Sequence, residues 1–280
     1  MTVFIKTHGR PNSQHTLKAL REAGYTGTIV LVLDDEDDTI KEYDRYVNAR
    51  TAIVVFNKES YVQKIDSGVS NPKREVNLYA WCACEYFAKG LGLTSCVMAD
   101  DDITGFRYRY AENGSLKSLH ITQGMNKILK SYLDFIEDNH VCATAFGTNQ
   151  MYMGGIDTLR PEKTIDFRAP YNFIFRNMEY DFSWVSGMYE DTISPVLENQ
   201  RGKYTIQLPF VQLEMKDVAA GAEGGMTATY NQTNTFKRIG SLFQYHPSCV
   251  RYVATSKKIT HGLYKDKAFP KLVSSSFQLK

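Results

Sequence analysis

Short apolar runs alternate with polar loops through the first hundred residues. The run over residues 3–6 predicts a strand. The polar loop Thr7-His8-Gly9-Arg10-Pro11-Asn12 follows. Ser13 then stands as an N-cap, with Leu17, Leu20 and Ala23 at helical spacing up to Gly24. The unbroken apolar run 28–33 predicts a strand buried on both faces, ending abruptly at Asp34. A short helix and a strand over 52–56 complete a β-α-β-α-β order, which implies a parallel sheet with right-handed crossovers. A helix is expected over 73–91, where Val76, Tyr79, Ala80, Ala83, Tyr86 and Phe87 keep the helical period and Gly90 and Gly92 mark the end. The strand over 95–99 runs straight into Asp100-Asp101-Asp102.

Beyond that point the pattern is more mixed. Asn113-Gly114 between the runs 106–111 and 115–121 predicts a hairpin. Ile128, Leu129, Leu133 and Ile136 share one face of a helix over 124–138. Strands are expected over 141–146, over 150–153 before the Gly154-Gly155 turn, and over 172–175. A helix over 190–199 opens with Glu190-Asp191. The strand over 204–212 carries Pro209, which places it at a sheet edge. Residues 219–234, rich in Gly, Ala, Thr and Asn, read as a lid over a site or as a plain loop. No boundary stands out, so one α/β domain over 1–280 is expected.

Composition narrows the class. A chain of 280 residues with 43% hydrophobic content builds a sizeable core. Its start lacks the pattern of a signal peptide, and no apolar stretch approaches the ~18 residues a membrane span needs. A soluble cytoplasmic protein is expected. The five cysteines, Cys82, Cys84, Cys96, Cys142 and Cys249, read as reduced thiols. Cys82-x-Cys84 lies on a predicted helix, where such neighbours face different ways, so core packing is favoured over zinc. The net charge of +2 hides two opposed segments. Asp34, Asp35, Glu36, Asp37, Asp38, Glu42 and Asp44 surround Lys41. Arg251, Lys257, Lys258, Lys265, Lys267, Lys271 and Lys280 outweigh Asp266, so the C-terminal segment either touches a phosphate backbone or is a solvated tail.

The two acidic clusters carry the candidate chemistry, because ligands of parallel sheets sit beyond the carboxyl ends of the strands. Carboxylates packed at a strand end repel one another, and a divalent cation relieves that repulsion. Mg²⁺ or Mn²⁺ held by one or two carboxylates keeps positions open for diphosphate oxygens. In an extended segment Asp100 and Asp102 point to one side and Asp101 to the other. Asp100 and Asp102 are therefore the expected ligands, while Asp101 touches the sugar or caps the next turn. Asp34 or Asp35 would hold a ribose hydroxyl or base edge, unless they merely open a helix.

Met98-Ala99-Asp100-Asp101-Asp102-Ile103 and Tyr189-Glu190-Asp191-Thr192-Ile193, in this order and with this strand pattern, resemble the DxD and ED elements of the glycosyltransferase A fold. The resemblance spans most of residues 1–215. It implies a mostly parallel, Rossmann-like sheet with a mixed C-terminal half. Residues 1–103 would bind the nucleotide-sugar and residues 104–280 the acceptor. By the same resemblance Asp191 is the base of an inverting transferase, with Glu190 beside it, unless the pair only caps its helix. His261, or else His246, completes the metal shell. Thr7, His8 and Arg10 hold the nucleotide, and Arg74 reaches the diphosphate.

The start Lys6-Thr7-His8-Gly9-Arg10-Pro11 and the compact length resemble the TET-associated glycosyltransferases of bacteriophages. That resemblance implies a UDP-sugar donor and 5-hydroxymethylcytosine in phage DNA as acceptor, with arabinose or glucose transferred. Arg107, Arg109, Lys117 and the basic C-terminal segment would line the DNA groove, and Tyr108, Tyr110, Tyr171 or Trp184 would stack on bases. Other readings are a glycan, lipid or protein acceptor, or a catalytically inactive nucleotide- or DNA-binding module.

Overall fold

The computed structural model describes residues 1–68, 77–160, 169–216, 234–254 and 259–269. Its centre is a nine-stranded sheet in the order β3-β2-β1-β4-β8-β7-β9-β5-β6. The strands are β1 (Thr2–Lys6), β2 (Thr28–Asp34), β3 (Thr51–Phe56), β4 (Ser95–Ala99), β5 (Ile103–Glu112), β6 (Ser115–His120), β7 (Ala143–Gly147), β8 (Phe173–Asn177) and β9 (Thr205–Met215). All but β5 and β8 run in one direction. The expected mostly parallel α/β architecture is therefore observed.

Strand alternation builds the two cores. In β1, Val3 and Ile5 join one core and Phe4 the other; in β4, Val97 and Ala99 oppose Cys96 and Met98. Helices α1 (His15–Glu22) and α4 (Met125–Asp138) cover the first face through Leu20, Leu129 and Ile136. Helix α3 (Leu78–Gly90) covers the second through Leu78, Trp81 and Cys84. Burial on both faces explains why β1, β2 and β4 read as unbroken apolar runs. The fully buried Arg176 of β8 ties the sheet to α3 by donating from Nε to Glu85 at 2.7 Å.

Continuing this alternation past the strand ends decides the site. Lys6 and Asp100 follow the parity of Phe4 and Met98, toward α3. Thr7 and Asp101 fall on the α1 side.

Helix α5 (Glu190–Gln200) carries Ile193 and Val196 into small satellite cores with α6 (Thr235–Tyr245), the hairpin β10–β11 (Val250–Ala254 and Ile259–Leu263) and α7 (Lys265–Ala268). A five-residue helix, α2 (Lys58–Val62), precedes residue 69. The Asn113-Gly114 hairpin forms with φ of 49° and 71° at its two central residues, the left-handed values such a turn needs.

Three local expectations are corrected. Residues 150–153 are not a strand but part of a 3₁₀ segment, Asn149–Leu159, interrupted at Gly155. Its glycines supply no side chains to pack on a pleated face. Strand β9 lies inside the sheet, between β7 and β5, and Pro209 is accommodated where the β7–β9 register shifts between Leu208 and Gln212. Helix α1 begins at His15 after Gln14, without a side-chain cap from Ser13. The lid or loop over 219–233, the start of helix 73–91 with Arg74, and Lys257, Lys258, Lys271 and Lys280 lie outside the described residues. Asn234, at the end of that segment, caps α6 by accepting from the Lys237 amide at 2.8 Å.

Candidate active site

The carboxyl ends of β1, β2 and β4 meet at one edge, and the antiparallel β8 brings its amino end there too. Asn172, with a left-handed φ of 57°, accepts the Asp100 amide on its carbonyl at 2.8 Å and donates from Nδ2 to Asp100 Oδ2 at 2.8 Å. The other Asp100 oxygen pairs with Lys6 Nζ. Lys6 is almost fully buried and lies 4.5 Å above the Trp81 ring. Burial opposes its charge, but the Asp100 carboxylate outweighs that and raises its pKa.

Asp101 faces the other way, as alternation predicts. It accepts from Thr7 Oγ1 at 2.7 Å and from Arg10 Nη1 at 2.9 Å. Gln14 Nε2 donates to Thr7 Oγ1 at 2.8 Å, and the Tyr43 hydroxyl accepts the Arg10 amide at 2.9 Å. Thr16 clamps the acidic turn from below: its hydroxyl donates to Asp100 O at 2.6 Å and accepts the Ile103 amide at 2.9 Å. Asp101 and Thr7 thus lock the first loop onto the DxD turn.

The second acidic cluster is likewise consumed internally. His8 Nδ1 lies 2.8 Å from Asp34 Oδ2, and Lys58 is 3.6 Å from its other oxygen. Burial works against the Asp34 charge, yet the His8 hydrogen bond and Lys58 hold its pKa below the ordinary value. Asp37 accepts the amide of Gly9, whose φ of 64° favours glycine. Asp35, more exposed, accepts from Lys58 N at 3.0 Å and Asn57 Nδ2 at 2.6 Å, opening α2.

Asp102 contrasts with all of these. Among the described residues its Oδ1 is buried with no hydrogen-bond partner. Burial, then the neighbouring Asp100 and Asp101 charges, push its pKa up to about 7. The same fields reach the ED element. Glu190 is pushed up to about 8, by burial and then Asp191, and Asp191 to about 6, by burial and then Asp100. The structure therefore brings together the DxD and ED carboxylates, ninety residues apart in the chain, around Lys6 and Asp100. Carboxylates with raised pKa values are a common property of catalytic and binding groups.

A family model described as TET-Associated Glycosyltransferase matches residues 1–225. The chain belongs to that family. It is a glycosyltransferase, and so takes a sugar donor and an acceptor. A search of curated proteins found no match. Among the described residues no helix is long and apolar enough to cross a membrane.

The two histidines expected at the metal shell differ. His246 is buried, and its Nε2 donates to the Ile193 carbonyl at 3.0 Å, a bond that fastens α6 to α5. His261 sits edge-on to the ring of Tyr189, 4.7 Å away, next to Glu190 in the chain. Among the described residues its buried Nδ1 has no partner, and burial lowers its pKa toward the neutral, ligand-competent form. Among the described residues no three His, Cys, Asp or Glu side chains stand as a ready-made metal cage. Mg²⁺ and Mn²⁺ sites that share their shell with phosphates need only one or two carboxylates. The orphaned oxygen of Asp102 beside Asp100 meets that requirement. The cysteines are all free, as expected of reduced thiols.

Sequence reasoning missed Lys6, Asn172 and Thr16. Lys6 had one signal, a lone charge ending an apolar strand at the ligand edge. Trp184 is corrected: it is a core residue, stacked on Trp81 at 5.4 Å and donating to Glu85, so it is closed to bases. Tyr108 and Tyr110 remain exposed at 39% and 41%. Burial and the nearby Asp191 raise the pKa of Tyr171.

Proposed function

We propose that this transferase moves a sugar, arabinose or glucose, from a UDP-sugar to the hydroxymethyl oxygen of 5-hydroxymethylcytosine in phage DNA, in the cytoplasm of the host. The observation that carries the transfer site is the gathering of Asp102, Glu190 and Asp191 around Lys6 and Asp100. The DNA acceptor rests on the family's resemblance. Residues 1–103 bind the donor, and residues 104–280 face the acceptor.

Asp100 and Asp102 would hold Mn²⁺ or Mg²⁺, with His261 as the candidate histidine, since His246 is engaged by the Ile193 carbonyl. Such a cation would neutralise the departing diphosphate. His8, Arg10 and the exposed Asp35 line the nucleotide side of the edge. Asp34, Thr7 and Asp101 keep that loop in place, and Arg74 is assigned to the diphosphate. Lys6 adds a fixed positive charge beside Asp100, where negative charge grows as the donor bond breaks.

Asp191 acts as the base. It takes the proton from the acceptor hydroxyl while the oxygen forms its bond to the anomeric carbon. The anomeric carbon–oxygen bond to UDP breaks, and UDP leaves with the electron pair. Glu190, whose pKa burial and Asp191 push upward, holds its proton more readily than Asp191 does and so competes less for the base's role.

The test incubates the protein with Mn²⁺, a panel of UDP-sugars and DNA containing 5-hydroxymethylcytosine, then digests the DNA and weighs the nucleosides. A mass gain of one sugar on hydroxymethylcytidine is expected. Transfer to a glycan with no gain on DNA would overturn the acceptor.

A further inference from the structure

Away from the carboxylates, the sheet carries a cavity of about 340 Å³ between β9, β5, β6 and the Asn149–Leu159 segment. Arg107, Arg109, Ser118, Asn149, Gln212 and Glu214 line it. We propose that it is a phosphate subsite for a nucleic-acid strand, an assignment that rests on DNA as acceptor.

The hydrogen bonds decide the polarity of the cavity. Its one acid, Glu214, is already neutralised by Arg107 Nε at 2.5 Å and faces His120 Nδ1 at 3.2 Å. Arg107 also donates to Ser118 Oγ at 3.2 Å. Arg109 Nε donates to Gln212 Oε1, and Gln212 Nε2 donates to Asn149 Oδ1. This relay spends the oxygen of each amide as an acceptor. Toward a ligand this leaves the Asn149 amino group and the terminal amines of Arg109 as donors, with the Ser118 hydroxyl able to donate beside them. The Arg109 guanidinium is fixed in plane, 4.9 Å over the Tyr152 ring, and Tyr152 is held by donation to the Pro209 carbonyl at 3.1 Å. A pre-oriented fork with donors only is the arrangement that binds an oxyanion bidentately.

Two observations separate this anion from the donor diphosphate and from a free ion. Arg107 and Arg109 lie four and six residues along β5 from Ile103, roughly 13–20 Å from the DxD turn at about 3.3 Å per residue. A diphosphate held at Asp100 and Asp102 does not span that gap. Beside the cavity, Phe210, two residues before Gln212 on β9, is 54% exposed, and Met153 of the covering segment is 86% exposed. An aromatic face next to phosphate donors suits a nucleotide chain, whose bases stack while its backbone is held.

The test uses the full chain and a fluorescein-labelled single-stranded oligonucleotide, with anisotropy read at increasing salt for wild type, Arg109→Gln and Asn149→Asp. Each variant is expected to bind about tenfold more weakly. The slope of log K against log salt should fall by about 0.7 for the lost phosphate contact of Arg109→Gln. Asn149→Asp keeps the oxygen that accepts from Gln212 and puts a negatively charged acceptor in place of the donor, so it remains informative if Arg109→Gln folds poorly. Wild-type affinity and slope in both variants, with DNA still bound, would overturn the subsite alone. A wild-type protein that binds UDP but no DNA at any salt would overturn the acceptor reading, and the subsite with it.

Discussion

Two acidic clusters end strands at the same edge of this sheet, and the fold treats them in opposite ways. Around β2, Asp34, Asp35 and Asp37 are saturated by His8, Lys58, Asn57 and the Gly9 amide, and Asp34 is held below its ordinary pKa. Around β4 and α5, Asp102 has a buried oxygen with no partner, and Asp102, Glu190 and Asp191 are all pushed upward. The first cluster spends its charge on holding loops. The second keeps its charge unsatisfied, which is what binding a cation and moving a proton require. The division runs through a single motif, since Asp101 accepts from Thr7 and Arg10 and Asp100 is held by Lys6 and Asn172, while Asp102 alone keeps an oxygen without a partner among the described residues.

Substitutions that treat the two kinds alike would break this contrast. The largest expected effect is that of Asp191→Asn, which should lower the transfer rate by about 10²–10⁴-fold, the contribution of a positioned base. UDP affinity should be unchanged. Wild-type turnover of the variant in a discontinuous sugar-transfer assay would remove Asp191 from the chemistry.

Next comes Asp101→Ala. It leaves Thr7 and the partly buried Arg10 without their carboxylate, and should destabilise the fold by about 2 kcal/mol. Denaturant titration reads the loss. An unchanged midpoint would deny Asp101 its structural role.

The smallest effect is on pH. Glu190 is raised from 4.5 to about 8, so across that window the folded state holds a proton the unfolded chain has lost. Stability therefore falls as pH rises from about 4.5 to about 8 on account of this group. Glu190→Gln should accordingly stabilise the protein at pH 8.5, on the order of 1 kcal/mol, and hardly at all at pH 4. Thermal unfolding at the two pH values checks the sign, and equal shifts would contradict it.

Much of the first half was legible because its strands are buried on both faces and so appear as unbroken apolar runs. The DxD turn could be placed at the ligand edge on that basis alone. The later strands were harder to order. β5, β8 and β9 pair with neighbours distant in sequence, and nothing local in the chain announces that β9 is interior. The 3₁₀ segment at Asn149 was misread because a short apolar run carries no period of its own. Within the site, alternation separated Asp100 from Asp101. It did not reveal Lys6 or Asn172 as partners of Asp100, since those contacts are made across the sheet. Nor did it signal the left-handed φ of 55° at Tyr189, a conformation unusual for a bulky residue, from which Glu190 enters the site.

On the proposed function, the unsatisfied oxygen of Asp102 awaits a cation shared with the donor. Calorimetric titration of UDP into wild type and Asp102→Ala, with and without Mn²⁺, tests it most directly. Mn²⁺ should strengthen UDP binding to the wild type by at least about tenfold, with Asp102→Ala losing that gain while folding at least as stably without metal. The same Mn²⁺-dependent UDP affinity in Asp102→Ala would contradict the account.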